Sequence, residues 1–390
     1  MLHIQVATAL KNHPLYAEFV QVKNRLLAEG NKCWIAGGAV RDFILKKEPI
    51  DFDLVTDATT EKILELFPDA VPVGVQFGVV KIPLADGLFF DLATFRRESD
   101  YTDGRRPSFI DFATPEEDAF RRDFTMNALF WDDQEQQVID FTSGAQDIKN
   151  KVIRCVGDPL VRFQEDHLRI LRLLRFSLQL QFTIESDTLA AALQLVGKIK
   201  NTSGERIWSE IQKMMPHIDW PLILKNTLAV RIFELIFPVK IASLSPMQKI
   251  SEFNQIQFFY FLLGTASFSK ELTHCLKKEM HLSKNDFKIF ETVQFCCLHQ
   301  LSTAEWVYES ERNPLVLDVL KFLSQIQKLP DLSFAEIEQK FHSKPNILVD
   351  GHDLKGVVPD HQIGSILKKI RLRQLAQPDL DKKRLLENLL

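Results

Sequence analysis

The densest run of chemistry-bearing residues in this 390-residue chain is Ala36-Gly37-Gly38-Ala39-Val40-Arg41-Asp42, followed a short spacer later by Asp51-Phe52-Asp53. In an extended strand alternate side chains share a face. Asp51 and Asp53 are therefore expected on one side, with Ile50, Phe52 and Leu54 turned into the core. Two carboxylates ~7 Å apart along a strand repel each other. A divalent cation between them removes that cost, and Mg²⁺ favours one or two carboxylates completed by phosphate oxygens. The glycine pair follows the apolar run Cys33-Trp34-Ile35 and opens a helical one. Without Cβ atoms, Gly37 and Gly38 let backbone N–H groups approach a phosphate at the positive end of that helix. Arg41, on its first turn, could pair with the same phosphate through its guanidinium. Taken singly, a Gly-Gly is a turn and an Asp-x-Asp a solvated strand edge. Joined at this spacing, they describe phosphoryl transfer from a nucleoside triphosphate.

Such a site needs a scaffold, and the apolar periodicity outlines one. Residues 15–29 form an amphipathic helix with Phe19, Val22, Leu26 and Leu27 on one stripe. Strand-like runs follow at 33–36, 50–55, 71–75, 77–82 and 88–94, alternating with helical segments such as 39–45 and 61–67. From about residue 160 the strand signal fades. Helical periodicity then runs to the end, broken at Pro216, Pro221, Pro238, Pro246, Pro314, Pro330, Pro345 and Pro359. The expected fold class is α/β plus all-α: a small mixed-sheet head over residues 1–145, a helical neck over 146–216, and a helical body and tail over 217–390. Residues 217–345 carry no motif beyond helical spacing. The 30 phenylalanines are expected to pack the long helical part rather than to stack on bases.

Composition sets the outer limits. Hydrophobic residues make up 45% and charged residues 26%, which excludes a disordered chain and provides a sizeable core. The net charge of −4 excludes a polycation that coats nucleic acid indiscriminately. Charge is uneven, however: residues 149–213 hold 11 basic against 7 acidic side chains, and residues 364–390 hold 7 against 3. Local basic faces on an acidic protein suit a specific polyanion. None of the five cysteines forms a Cys-x-x-Cys pair or zinc-ligand spacing, so reduced, buried thiols are expected. There is no signal-peptide pattern at the N-terminus and no run of ~20 apolar residues, which points to a cytoplasmic protein without a membrane span.

With these residues in view, the sequence resembles the class II tRNA nucleotidyltransferase and bacterial poly(A) polymerase superfamily. The Gly37-Gly38…Arg41-Asp42…Asp51-x-Asp53 pattern resembles the superfamily's head motif. Arg121-Arg122-Asp123-Phe124-Thr125-Met126-Asn127-Ala128-Leu129 resembles its ribose-contacting segment, and Asp140-Phe-Thr-Ser-Gly144 its joint between head and neck. Glu165-Asp166-His167-Leu168-Arg169, continuing through Arg172, resembles its nucleotide-selecting helix. Ser203-Gly204-Glu205-Arg206-Ile207 resembles the neck motif beyond it. These five span about half the chain, in order. Val349-Asp350-Gly351-His352-Asp353-Leu354 and Ile363-Gly364 resemble a tail segment of bacterial CCA-adding members.

The resemblance implies template-independent addition of CCA to tRNA from CTP and ATP. An RNA 3′-hydroxyl would attack the α-phosphate in line and pyrophosphate would leave. Two Mg²⁺ ions, with Mn²⁺ able to stand in, would be held by Asp51 and Asp53. Asp91 would complete the catalytic carboxylates beside them and activate the primer hydroxyl. Gly37, Gly38, Arg41, Arg122, Asp123, Asn127, Asp166, Arg169 and Arg172 would bind nucleotide. Asp166 and Arg169, three apart on a helix, share a face. One offers acceptors and the other a donor fork, enough to mimic a Watson–Crick edge, although an i,i+3 salt bridge fits the spacing too. Arg175 on the same helix suits either phosphate or a structural role. The tRNA acceptor arm would lie on basic residues of the neck and on Lys368, Lys369, Arg371 and Arg373, with neither DNA nor a membrane as partner. The polar, glycine-containing stretch 96–107 is a surface loop in the plain reading, and its presence argues against a CC-only enzyme. Residues 73–79 lack the basic pair before Phe77 that poly(A) polymerases carry. An A-adding enzyme shares every motif quoted. A non-catalytic RNA-binding protein on a degenerate head is the alternative of another class, disfavoured by the intact acidic and basic set. The lone His352-Asp353 pair lacks the further histidines of a phosphohydrolase site.

Overall fold

Cys33-Trp34-Ile35-Ala36 is an apolar run short enough to be buried on both faces, and it forms the strand around which the head is built. In a computed structural model, which describes residues 2–74, 78–85, 87–101, 107–238, 254–266, 270–326 and 334–386, the chain divides into two compact units. The first is Met1–Ile236 and the second includes Ile250–Leu390.

The first unit opens with α1 (Leu2–Lys11) and α2 (Tyr16–Ala28), then β1 (Cys33–Ala36), α3 (Gly38–Ile44), β2 (Asp53–Thr56) and α4 (Thr60–Leu66). Next come β3 (Val71–Gly74), β4 (Val79–Pro83), β5 (Phe89–Thr94) and the hairpin β6 (Arg96–Tyr101) with β7 (Pro107–Phe112). After α5 (Pro115–Phe120), β8 (Leu129–Asp132) and β9 (Gln137–Asp140) close the head. Seven strands form one mixed sheet in the order β3-β4-β5-β2-β1-β8-β9, with β2 and β5 parallel and β6–β7 a separate pair. One face of the sheet buries Trp34, Ala36, Val55, Phe95 and Phe130 against Ala119 and Val156. Elsewhere Phe52 stacks on Phe90 at 5.9 Å and meets Phe43 and Phe19 edge-on.

The strand expected over 50–55 begins only at Asp53, so Asp51 precedes it. Ile50, expected in the core, is 94% exposed. The ladder sets the limit: Asp53 pairs with Ala36, the last residue of β1, after which Gly37 turns the partner strand away into α3. Phe52 and Leu54 do turn inward, opposite Asp51 and Asp53.

The helices of the neck are α6 (Gly144–Asn150), α7 (Pro159–Glu165), α8 (Leu168–Leu180), α9 (Ser186–Leu195) and α10 (Gly204–Met214). Between them, β10 (Val152–Ile153) pairs with β11 (Thr183–Ile184), a strand pair too short to leave a periodic signal in the sequence. The joint with the head is tight. Asp140 caps α6 by accepting from the backbone N–H groups of Thr142, Gly144 and Ala145. A Cβ on Gly144 would stand 2.0 Å from the carbonyl oxygen of Thr125. Two further helices, α11 (Trp220–Lys225) and α12 (Thr227–Ile236), belong to this unit, so it runs past the neck boundary expected at 216.

Among the described residues the second unit is helical throughout. It comprises α13 (Gln255–Ala266), α14 (Lys270–His274), α15 (Lys284–Leu298), α16 (Thr303–Arg312), α17 (Leu315–Gln325), α18 (Phe334–His342), α19 (Gly351–Leu354), α20 (Asp360–Ala376) and α21 (Lys382–Leu386). Phe258, Phe259 and Phe290 interlock edge-to-face in its interior, and Val349, Leu354, Ile370 and Leu385 form a small core at the C-terminal end. Asp350 and Asp353 make a reciprocal cap on α19, which gives the His352-Asp353 pair a structural use. None of the five cysteines forms a disulfide, four are buried and Cys297 is half-buried, and no described helix is long and apolar enough to cross a membrane.

Candidate active site

The parallel pairing of β2 and β5 sets Asp53 directly beside Asp91. Asp51 lies close enough to act on Asp53. The Asp53 carboxyl sits above its usual pKa, first because neighbouring protein partly desolvates it although the residue remains open to solvent, and then because Asp51 and Asp91 repel its charge; Arg122 and Arg172 pull it back only partly. The crowding of Asp53 by Asp51 and Asp91 is a cost that a divalent cation relieves, and no three metal-binding side chains converge as a closed cage among the described residues. With so few protein donors, the set fits a divalent cation only where other ligands complete its shell. Lys81, paired with Asp91 across β4 and β5, holds the Asp91 carboxylate at 2.6 Å.

Gly37 has φ of +66°, a backbone conformation that favours glycine, and a Cβ there would lie 3.0 Å from the Arg122 guanidinium, which would have to shift. Its N–H, expected to face phosphate, instead donates to the Leu129 carbonyl and extends the sheet toward β8. Of the pair, only Gly38 begins the helix. Arg41, also expected on phosphate, is buried. It donates to Asp42 and to the Asn127 side chain at 2.7 Å, and its guanidinium lies over the Phe176 ring.

Asn127 passes this contact on. Its amide donates to Asp123, whose other oxygen takes two bonds from Arg172 at 2.8 and 2.6 Å. Burial alone would raise the Asp123 pKa; Arg172 and Asn127 outweigh it and lower the pKa to about 2. A continuous polar chain thus ties α3 of the head to α8 of the neck. Beside it, the fully buried Asp118 receives both Arg121 and Arg122, at 2.6 and 2.9 Å. Arg122 also lies over Phe130 and donates to the Asn127 carbonyl, which brings its charge to the carboxylates.

Asp166 and Arg169 are not on one helical face. Asp166 is the residue that ends α7 in extended conformation, and Arg169 lies in the first turn of α8. The break has a local cause: the Asp166 carboxylate accepts from the Leu168 N–H across the turn. Arg206 of α10 grips Asp166 with two bonds, at 3.3 and 2.8 Å. Arg169 pairs with Glu165 at 2.6 Å and donates to the Arg121 carbonyl. Arg175 is structural in placement, paired at 2.7 Å with the buried Glu210 and stacked over Phe176.

In the second unit, Lys369 is exposed, while Lys368 reaches Glu309 at 3.1 Å and lies over Tyr308. Arg371, expected to bind RNA, is only 7% exposed. Its guanidinium is committed to Glu311, Gln374 and the Pro345 carbonyl, which excludes it from a surface role. Arg373 is half-buried on the same helix. Of the stretch 96–107 expected as a surface loop, Arg96–Tyr101 is instead strand β6, paired antiparallel with β7, which begins at Pro107; residues 102–106, and residues 75–77 on which the poly(A) expectation turns, lie outside the described residues.

Asp118 and Lys81 were not singled out in the sequence, and Glu165 and Arg206 were quoted in motifs without a role of their own. For Asp118 and Glu165 a signal existed, since each stands four residues before an arginine of the motifs, at helical i,i+4 spacing. Arg206 and Lys81 act across elements: Arg206 lies in the quoted neck motif but its pairing with Asp166 left no local signal, and Lys81 left none at all.

Known proteins with this architecture can now be compared. A family model described as "Poly A polymerase head domain" matches residues 33–154, and one described as "Probable RNA and SrmB- binding site of polymerase A" matches residues 181–241. A CCA-adding enzyme of Staphylococcus epidermidis is 36% identical over 249 residues, which is 64% of this chain and 57% of that protein. The match thus spans little more than half of that relative's length. Bacillus cytotoxicus has a CCA-adding enzyme 30% identical over 364 residues, 88% of this chain and 90% of that protein. Among solved structures, the Bacillus stearothermophilus CCA-adding enzyme in complex with CTP superposes with a TM-score of 0.71 at 22% identity, covering 95% of both chains. The Thermotoga maritima CCA-adding enzyme complexed with tRNA superposes at 0.64 with 21% identity over 99% and 98%. These structural likenesses speak for the fold, and the near full-length sequence match for kinship: the chain belongs to the family of CCA-adding enzymes.

Proposed function

We propose that this protein completes the 3′ end of tRNA by adding C, C and A from CTP and ATP without a nucleic-acid template, in the cytoplasm. The observation that carries the reading is the pairing of Asp53 with Asp91 on adjacent strands, with Asp51, Arg122 and Arg172 close enough to tune Asp53. Two divalent cations, Mg²⁺ or in its place Mn²⁺, would be held by Asp51 and Asp53 and supply charge for the attacking and leaving oxygens. Asp91 accepts the proton of the RNA 3′-hydroxyl as that oxygen attacks the α-phosphate. Arg122 and Arg172 balance negative charge on the nucleotide as pyrophosphate departs. Asn127 and Asp123, locked by Arg41 and Arg172, present fixed polar atoms to the ribose.

Base choice falls to Asp166 and Arg169. Arg206 and Glu165 hold their polar groups in fixed orientations, as a protein template requires if it is to accept CTP and then ATP and reject the other bases. The exposed Lys369 and neighbouring basic residues of the second unit would meet phosphates of the acceptor arm, with affinity that falls as salt rises.

Incorporation on tRNA transcripts ending before CCA, after C and after CC, with CTP and ATP separately and together, tests the reading. Completion of CCA on the shortest substrate is expected. Activity only on the CC-ended transcript would make this an A-adding enzyme, and long adenosine tails a poly(A) polymerase. No incorporation with either Mg²⁺ or Mn²⁺ would leave an RNA-binding protein.

A further inference from the structure

Six residues, 46–51, lead from α3 to the catalytic carboxylates, and of these only Pro49 is buried; Lys46, Lys47, Glu48, Ile50 and Asp51 face solvent. A connection this exposed has little packing of its own to fix where Asp51 goes. The chain N-terminal to the nucleotidyltransferase core supplies the fixing. Gln5 of α1 donates to the carbonyls of Phe43 and Ile44 at 2.9 Å each, which clamps the end of α3 where the connection starts. His13, between α1 and α2, meets the other end: its Nε2 lies 2.9 Å from the Pro49 carbonyl.

Two contacts fix the tautomer of the His13 ring. The Leu15 N–H donates to Nδ1 at 3.2 Å, so Nδ1 is the acceptor nitrogen and Nε2 carries the proton that goes to Pro49. The ring is buried against Phe52 at 4.7 Å and edge-on to Phe43 at 6.0 Å, so it also touches the residue between the two catalytic aspartates. We propose that His13 is a positioning residue for nucleotidyl transfer: through Pro49 and Phe52 it sets Asp51 beside Asp53. This rests on the reading of Asp51 and Asp53 as the metal-holding pair. His13 itself precedes the segment matched by the family's head model, which starts at residue 33.

The experiment compares wild type with three substitutions. His13→Gln places an amide N–H about where Nε2 stands and keeps the bond to Pro49. His13→Asn ends near the Nδ1 position and keeps only the Leu15 bond, whereas His13→Phe keeps ring packing and loses both. Each folded variant is assayed for kcat and KM on tRNA lacking CCA. Mn²⁺ affinity in the presence of CTP is read by electron paramagnetic resonance of the free ion.

The expected result is a kcat about ten-fold lower and Mn²⁺ binding weakened to a similar degree for Asn and Phe, the worth of about one hydrogen bond. KM for tRNA should be unchanged, and Gln should stay within about two-fold of wild type. Equal losses in Gln and Asn, or full kcat and Mn²⁺ affinity in whichever of Asn and Phe folds, would overturn the proposal. So would failure of both to fold while Gln is normal in stability but not in activity. Wild type that binds Mn²⁺ with CTP yet transfers nothing would instead overturn the functional reading and leave the Mn²⁺ comparison to judge His13.

Discussion

Asp118 offers the sharpest test of how the head holds its arginines. Its carboxylate is fully buried and receives four guanidinium bonds: two from Arg121 at 2.8 and 2.6 Å, and two from Arg122 at 3.1 and 2.9 Å. Burial opposes the charge, but Arg122 and Arg121 together keep the carboxyl below its ordinary pKa. Asp118→Asn preserves shape and one acceptor, removes the charge and turns an amide N–H toward a guanidinium. Removing one partner of a buried pair costs ~3–5 kcal/mol. Here the side chains of Arg121 and Arg122 keep 17% and 16% of their exposure, so water partly compensates them and the lower figure, about 3 kcal/mol, applies. For a unit of this size that is a fall in Tm of about 6–12 °C. Since the group's folded pKa is depressed, its contribution is present above the unfolded value of ~3.9 and is lost as pH falls through the folded one. The gap between wild type and Asp118→Asn should therefore be full at pH 7 and narrow in strong acid. Calorimetry across that range measures it, and CTP incorporation should fall in parallel because Arg122 loses its anchor beside Asp53. A Tm shift under about 2 °C at pH 7, or a gap that does not depend on pH, would refute the reasoning.

Further outcomes follow from the same geometry. Gly144→Ala drives a Cβ into the Thr125 carbonyl 2.0 Å away, between two pieces of backbone that cannot yield cheaply, and should cost at least ~3 kcal/mol in urea denaturation. Asp123, held at about 2 by Arg172 and Asn127, contributes on the order of 2 kcal/mol above pH ~4. That contribution disappears as pH drops through 2, and in Asp123→Asn the acid slope of stability should flatten. In the second unit, Lys369→Glu should weaken tRNA binding and reduce its salt dependence at unchanged Tm. Arg371→Met, whose native guanidinium is committed to Glu311, should lower Tm instead.

Where one local segment held both the motif and its scaffold, the sequence was legible. The strand from Cys33 to Ala36, the glycine turn after it, the helix from Gly38 and the succession of strands to Thr94 all follow from periodicity and breakers that act within a few residues. Asp53 and Asp91 meet because two short apolar strands pair in parallel; the family resemblance implied the neighbouring strand, but the register is not encoded in local pattern. Two of the misplacements come from partners distant in sequence and one from a local turn. Ile50 reads as a core residue because it alternates with Asp51, yet its partner strand ends at Ala36 and nothing remains to pair it. Arg371 reads as surface because a charged residue in a basic run usually is, and Glu311, sixty positions away, is what draws it inside. Asp166 and Arg169 read as one helical face until the turn at Leu168 separates them.

That last case bears on mechanism. An i,i+3 pair on an exposed helix would satisfy itself at a worth below ~1 kcal/mol, and could not also present its groups to a base. Breaking the helix between Asp166 and Arg169 lets Arg206 and Glu165 bind each one separately, so the two side chains are oriented by the neck rather than by each other. Under the proposed function, a template made of protein would have to keep its hydrogen-bonding edge fixed through successive additions. Anchoring each half from a different element does so, because neither half then depends on the incoming base for its orientation. Arg206→Lys, which keeps the charge but not the two-pronged grip, should consequently leave transfer running while relaxing discrimination against UTP and GTP, measured as the ratio of their kcat/KM to those of CTP and ATP. Unchanged ratios would mean that Asp166 does not depend on Arg206 for its orientation.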